Sequence, residues 1–197
     1  VATTSYHKNG YAIEQGGNDI DALVSYFKNE VVTWTDWDEE VLLIGASEGA
    51  LIVTMLLERD PQTYQGALAL CGPLGGMPYQ LKYFGDFRVL FDYYFPGILP
   101  GGVSTVPESA YDMWESTYKP AITAVLSAPT DEARQLFNTT RAAIDPSNPL
   151  SMAHTATEVL SYNIRDMNDM IDTAGGNPFG NRFTWYWGSD NNWALNL

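Results

Sequence analysis

The sequence feature that most constrains the fold is a Gly-x-Ser-x-Gly pentapeptide at residues 45–49, whose serine is Ser47. A short apolar segment, residues 41–44, precedes it, and a nearly continuous apolar stretch follows until Pro61. We therefore predict a strand, a tight turn and a buried helix, because the glycines let the backbone fold sharply and the proline blocks further helix. A serine at such a turn is strained, and its hydroxyl stands clear of the sheet.

Strands and helices alternate over the first 72 residues, which predicts an α/β fold with a parallel sheet and right-handed crossovers. We predict strands at residues 1–6, 41–44 and 66–71, and helices at residues 18–31 and 48–59. The predicted strands are continuous apolar runs, which is typical of parallel strands that are covered on both faces.

Several positions in this first part have specific predicted roles. Gly16 and Gly17 mark a loop, and Asn18 caps the helix that follows. Residues 33–40 are polar, with two tryptophans, and predict a surface connection. Cys71 closes the last apolar run and is the single cysteine of the chain, so we expect a buried structural thiol and no internal disulfide.

The second part of the chain predicts helices in place of further strands. A Gly-Pro breaker follows the last predicted strand, and aromatic residues, proline and glycine are then frequent up to residue 102, beyond which helical signals begin. Thr130 is placed to cap a helix, and residues 151–172 form the longest predicted helix, which Gly175 ends. We therefore divide the chain into a sheet-containing part (residues 1–72), a helical region (residues 73–175) and an irregular tail (residues 176–197).

The composition excludes several classes of partner. The net charge is −14, which argues against nucleic acid and against anionic membrane surfaces, since both need a cationic protein face. We attribute this acidity to solubility, with a preference for neutral or cationic substrates as the alternative. No apolar run approaches the roughly 20 residues of a membrane span. No Cys/His spacing indicates zinc and no loop has the phosphate-binding pattern, so we expect neither a metal nor a cofactor.

With these flanks, the pentapeptide resembles the nucleophile elbow of the α/β-hydrolase superfamily, and the resemblance covers residues 1–75. It implies that Ser47 is the nucleophile, that the backbone N–H of Glu48 forms part of the oxyanion hole, and that the helical region is a lid or cap. Residues 177–182 are similar to a stretch of exported bacterial esterases or prolyl-oligopeptidase-like hydrolases. The resemblance therefore implies a serine hydrolase that acts by acyl transfer on an ester or peptide substrate without a cofactor. Scarce lysine and arginine, 10 together, also favour a secreted or periplasmic protein.

The sequence departs from this family where the remaining catalytic groups are expected. The family places its acid and its histidine after the nucleophile on later strands, and the second oxyanion donor on an earlier loop. Neither region is recognisable in this chain, so we expect an interior part of a hydrolase that is inactive alone. Missing segments of the parent chain, or a second chain, would complete the fold. The alternative is a non-catalytic, α/β-hydrolase-like binding module in which Ser47 is vestigial.

Two histidines and a group of aromatic residues have two interpretations each. His154, and with less support His7, is a candidate general base, and an ordinary surface position is the alternative for both. The aromatic residues form either packing between lid and sheet or an apolar wall for the substrate. The candidates for this wall are Tyr79, Tyr83, Phe84 and Phe87. An aspartate stripe at residues 166–172 predicts the polar face of a helix, with a cation site as the alternative.

Overall fold

The structure is a computed structural model that describes residues 1–31 and 40–197, and it is a mixed α/β chain. The chain divides into two compact units, Val1–Met77 and Pro78–Leu197. Their strands are β1 (Leu42–Ala46) and β2 (Gly66–Leu70). Their helices are α1 (Ile13–Tyr26), α2 (Glu48–Arg59), α3 (Met77–Tyr94), α4 (Ser109–Asp112), α5 (Lys119–Leu126), α6 (Asp131–Thr140), α7 (Ser151–Ala174) and α8 (Asn192–Leu195). A π-helical turn, Phe27–Val31, follows α1, and a second one, Trp114–Tyr118, leads into α5.

The first unit is built on a parallel pair of strands. Strands β1 and β2 pair in a register that joins Leu42 to Gly66 and Ala46 to Leu70, and α2 connects them. Helix α2 has the predicted bounds, and both strands lie within a residue or two of their predicted positions. The buried core of this unit consists of Leu43, Ile52, Val53, Leu56 and Tyr64.

The predicted strand at residues 1–6 is wrong, because this segment has no strand structure. Within the described residues the sheet contains β1 and β2 alone, and the N-terminal segment pairs with neither strand. The expectation that the strands are covered on both faces is also wrong. Leu43 is buried beneath α2, but the alternate residues of β1 and β2 present an aliphatic face to solvent. The exposed fractions are 68% for Leu42, 74% for Ile44, 53% for Leu68 and 42% for Leu70.

The predicted loop at Gly16 and Gly17 is wrong, because both glycines lie inside α1 and are buried. A Cβ atom at Gly16 would lie 2.7 Å from Cδ1 of Ile52, and one at Gly17 would lie 2.6 Å from Cε of Met55. The glycines therefore bring α1 close to α2 and do not form a turn. Consequently Asn18 is not a cap, because the N-cap position of α1 is Ala12.

Two further expectations for the first unit have different outcomes. Cys71 is exposed, with φ at 50°, because β2 ends at Leu70 and the cysteine occupies the turn beyond it. The expected buried thiol is therefore wrong. The predicted surface connection at residues 33–40 lies outside the described residues except for Glu40, which is exposed.

The second unit is helical and has its own apolar core. Helices α3, α6 and α7 supply most of the buried side chains, and Trp114 is fully enclosed among them. The side chain of Thr130 accepts a hydrogen bond from the Ala133 N–H at the start of α6, as its N-cap position predicts. Helix α7 ends at Gly175, whose φ of 69° is the left-handed conformation that a glycine C-cap supplies. Helix α3 lies within the predicted helical region but before residue 102, in the aromatic stretch that precedes the first helical signals of the sequence.

A buried charge network joins three segments of the second unit. Arg88 on α3 is 0% exposed, and its Nε donates to both carboxylate oxygens of Asp92 at 2.8 and 2.9 Å. Its Nη1 donates to Oδ1 of Asn163 on α7 at 3.0 Å, and its Nη2 donates to the Pro100 carbonyl at 3.0 Å. Asn163 in turn donates to the carbonyl of Val103 at 3.0 Å. The guanidinium therefore fixes the loop after α3 between two helices.

The tail is largely irregular, as expected, but one part of it has a regular alternation. Thr184 and Tyr186 face inward, where they bond to Lys82 and Asp86 on α3. The residues between and beside them face solvent, at exposed fractions of 94% for Phe183, 43% for Trp185 and 62% for Trp187. The Oδ1 of Asn196 accepts a hydrogen bond from the Tyr186 N–H, and its Nδ2 donates to the Tyr186 carbonyl, so Asn196 holds the backbone of this segment from both sides. Among the described residues, no helix combines the length and apolarity required to cross a bilayer.

Candidate active site

Ser47 lies at the junction of β1 and α2 in a strained backbone conformation. Its φ is 54° and its ψ is −121°, and L-residues other than glycine rarely adopt this combination. Its N–H donates to the Leu70 carbonyl at 2.9 Å, so the turn is anchored to β2. The residue is exposed. The sharp strand-to-helix corner predicted from the pentapeptide is therefore present.

The hydroxyl of Ser47 is not used to cap the helix that it precedes. Serine at an N-cap normally adopts an extended backbone and accepts a hydrogen bond from an N–H of the first turn. Ser47 occupies the N-cap position of α2, but its side chain makes no capping hydrogen bond and its backbone is not extended. The Oγ atom of this exposed residue is therefore not committed to the helix.

The two glycines of the pentapeptide serve different purposes. A Cβ atom at Gly45 would lie 2.1 Å from the carbonyl oxygen of Gly49 and 2.9 Å from Cγ1 of Val53. At Gly49 a Cβ atom would have no neighbour within 4 Å. Gly72 gives the corner a third close approach, since a Cβ there would lie 2.4 Å from that of Ala50. The close packing of the corner therefore depends on Gly45 and Gly72.

The N-terminus of α2 provides donors next to the serine hydroxyl. The Ala50 N–H donates back to the Ser47 carbonyl at 3.0 Å. The first N–H groups of a helix have no intrahelical acceptor, and within the described residues the Glu48 N–H has no acceptor. This group, at the positive end of the helix dipole, is suited to bind a negative oxygen that develops beside Ser47.

The side chain of Glu48, unlike its backbone N–H, makes its contact with the start of α1. Its Oε1 accepts a hydrogen bond from the Ala12 N–H at 2.6 Å. Tyr6 and Tyr11 flank the same carboxylate, and the pKa of each phenol is raised, first by burial and then by the negative charge of Glu48. Sequence reasoning gave Glu48 a backbone role only, because its partner lies 36 positions earlier in the chain.

His7 forms a pair with Asp19 in the same unit as Ser47. Its Nδ1 lies 2.8 and 2.9 Å from the two carboxylate oxygens of Asp19, and its backbone N–H donates to the same group at 2.9 Å. The backbone hydrogen bond first, and then the contact with the ring, hold the pKa of Asp19 below its usual value. A carboxylate on Nδ1 fixes the ring and leaves Nε2 as the nitrogen for a further partner, which is the arrangement that a triad histidine needs.

The other predicted site residues belong to the second unit. His154 is exposed in the first turn of α7. Phe84 and Phe87 are 7% and 0% exposed within the apolar core of the second unit itself, and Tyr83 packs against that core. Tyr79 is 76% exposed. A catalytic role for the histidine and a substrate-binding role for these aromatic residues stay predictions.

An apolar cleft that sequence reasoning missed adjoins the pentapeptide. It has a volume of about 410 Å³ and lies between the N-terminal segment, α1, β1 and the start of α2. Gly45 and Gly49 line one end of it, together with Ile52 and Val53. The cleft exists because residues 1–4 run beside β1 without pairing to it, which no local sequence signal reveals.

Metal ligands do not cluster in the described part of the chain, where no group of three or more His, Cys, Asp or Glu side chains is arranged to hold an ion.

Comparisons with protein families, with curated proteins and with solved structures find no match to this chain. The geometry at Ser47 therefore carries the functional argument.

Proposed function

We propose that this chain carries the nucleophile of a serine hydrolase that acts on an ester or amide by acyl transfer. The observation that carries the proposal is the conformation of Ser47, with φ at 54° and ψ at −121° between a parallel strand and a helix. Such strain is retained where the surrounding structure enforces it, and it is concentrated at functional sites. The same corner is the structural context that a Gly-x-Ser-x-Gly motif needs to act as a nucleophile elbow.

The proposed reaction follows from the groups around the corner. The Ser47 Oγ attacks the carbonyl carbon as an imidazole accepts its proton, and the Glu48 N–H donates to the resulting oxyanion. The tetrahedral intermediate collapses, the leaving alcohol or amine takes the proton from the imidazolium, and an acyl-serine remains. Water, activated by the same imidazole, then releases the acid and restores the hydroxyl.

The His7–Asp19 pair supports His7 as the candidate base on this unit. Its ring is already oriented by a carboxylate, whereas His154 has no such partner among the described residues. The second donor of the oxyanion hole, and any base other than these two, would come from further segments of the parent protein or from a second chain.

A fluorophosphonate probe tests the proposal, because it phosphonylates an activated serine and stays attached. In full-length protein that is folded by circular dichroism, we expect labelling on the peptide containing Ser47, abolished by S47A and unaffected by S127A, which removes another exposed serine. Loss of labelling in H7Q or in H154Q identifies the base on this chain, and unchanged labelling in both assigns the base to another segment. A folded protein that is not labelled at Ser47 refutes the proposal and favours the binding module.

A product assay then separates hydrolysis from transfer to an alcohol. The full-length enzyme, free of probe, is mixed with an ester substrate and a competing alcohol, and the products are identified by mass. We expect free acid as the main product, and predominant formation of the new ester would identify an acyltransferase instead.

A further inference from the structure

We propose that the carboxylate of Glu48 is a positioning residue that fastens the nucleophile corner to the start of α1. The proposal rests on the proposed function, because it assigns a second role to a residue of the same site. In this role the Glu48 side chain keeps Ser47 in its strained conformation and keeps the Glu48 N–H aimed at the oxyanion.

The corner is anchored from two sides by different kinds of contact. On the side of β2, the anchor is the backbone hydrogen bond from Ser47 to Leu70 at 2.9 Å. On the side of α1, it is the hydrogen bond from the Ala12 N–H to the Glu48 carboxylate at 2.6 Å. A strained backbone persists only if its surroundings over-determine it, so removal of either anchor lets the corner relax.

The contact between Glu48 and Ala12 has the features of a built capping site. Ala12 is 1% exposed and is the N-cap residue of α1, where its own side chain makes no capping hydrogen bond. In a capping box, a glutamate from the third helical position accepts from the N-cap N–H of the same helix. In this fold the glutamate comes from the first turn of another helix, so one carboxylate caps α1 and stabilises the positive end of α2.

Because the side chain and the backbone N–H belong to the same residue, a change at the Glu48 carboxylate should also affect the oxyanion donor. The side chain of Glu48 is held by α1, and its backbone N–H is the proposed oxyanion donor. Donors act only when they lie within hydrogen-bonding distance of the developing oxyanion, and a displacement of about 1 Å at such a site costs on the order of 10²-fold in rate. Loss of the carboxylate should therefore lower kcat more than it raises KM.

Three variants in the full-length protein test this role with p-nitrophenyl butyrate as substrate. We expect E48A to lose about 10- to 100-fold in kcat while KM stays within about threefold. E48Q keeps an acceptor oxygen of the same reach, so it should retain kcat to within about fivefold of wild type. The matched control is E58A, which removes an exposed glutamate from the other end of α2 and should leave kcat unchanged.

Hydrogen exchange at the Ala12 amide provides a readout that does not depend on catalysis. We expect this amide to be protected in wild type and in E48Q, and to exchange faster in E48A. If E48A does not fold, E48D, whose carboxylate is one methylene shorter, takes its place with the same expected direction.

The outcomes separate the two proposals. Faster exchange at Ala12 with an unchanged kcat overturns the positioning role and leaves the serine hydrolase intact. Equal losses in E48A and E58A, or a loss in E48Q as large as in E48A, also overturn it. A wild-type protein that neither hydrolyses the ester nor reacts at Ser47 refutes the proposed function, and the exchange experiment then reports only the structural contact.

Discussion

Substitution of Gly45 by alanine should be far more disruptive than the same change at Gly49. The new methyl group at position 45 would lie 2.1 Å from the carbonyl oxygen and 2.4 Å from the carbonyl carbon of Gly49. Because these are backbone atoms, no rotamer change relieves the clash, and the first turn of α2 must move by more than about 1 Å to reach normal contact. Forcing extra volume into a packed site costs about 1–3 kcal/mol, and more when backbone shifts, so we expect a loss of about 3 kcal/mol.

Gly49→Ala is the matched comparison within the same motif. Its methyl group would meet no atom within 4 Å, and the residue lies in the first turn of α2 without a positive φ. Alanine is favoured over glycine in a helix by up to about 1 kcal/mol, so we expect this variant to be slightly more stable than wild type. The two variants should therefore differ by roughly 4 kcal/mol, which is about a 10³-fold difference in the unfolding equilibrium.

Urea denaturation followed by far-UV circular dichroism measures the difference in the free energy of unfolding. Hydrogen exchange on peptides that cover β1 and α2 then locates the loss in the first unit and not in the second. If Gly45→Ala is as stable as Gly49→Ala, the close approach at the corner is not a constraint on the fold, and the steric requirement for glycine at position 45 is refuted.

Three further predictions concern caps and charged groups. Thr130→Ala should destabilise the second unit by about 1 kcal/mol in urea denaturation, because α6 loses its N-cap acceptor. Asn163→Ala should cost about 3 kcal/mol in the same assay, since it leaves a buried Arg88 donor without its acceptor. The pKa of Asp19 is lowered in the fold, so its contribution to stability is present above its unfolded pKa of about 3.9 and is lost as pH falls through the lower folded value. In His7→Ala the pKa of Asp19 should rise in a carbon-detected NMR titration but stay below its usual value, because the backbone N–H of residue 7, the larger cause of the lowered pKa, still donates to the carboxylate. An unchanged value would refute the pairing of the two side chains.

The parts of the fold that local signals determine were predictable from the sequence. Helix α2 begins after Ser47 and ends before Pro61, as the glycines, the apolar run and the proline indicate. The cap at Thr130 and the glycine end of α7 depend likewise on a few neighbouring residues. The strained corner followed from the same kind of signal, because a strand, a Gly-x-Ser-x-Gly turn and a helix were contiguous.

The parts that depend on distant contacts were not predictable. Gly16 and Gly17 have the composition of a turn, but their function is to admit side chains of α2 more than thirty residues away. Gly85 lies inside α3 for a related reason, since a Cβ there would meet the ring of Phe179 at 2.1 Å. The contact of the Glu48 carboxylate with Ala12 and the exposure of Cys71 likewise depend on which segments pack nearby. An apolar strand sequence also does not indicate whether one or both faces of the strand are buried.

The alternating segment of the tail has a consequence for which changes the chain can accept. Thr184 and Tyr186 tie the segment to α3, and the aromatic residues beside them face outward, so inside and outside are assigned by even and odd position. A substitution at Trp185 or Trp187 alters one outward side chain and leaves the ties in place. An insertion or deletion of a single residue between Thr184 and Tyr186 would put them out of step with Lys82 and Asp86, so the two ties could not both keep their present geometry. The length of this segment is thus under stronger constraint than its composition.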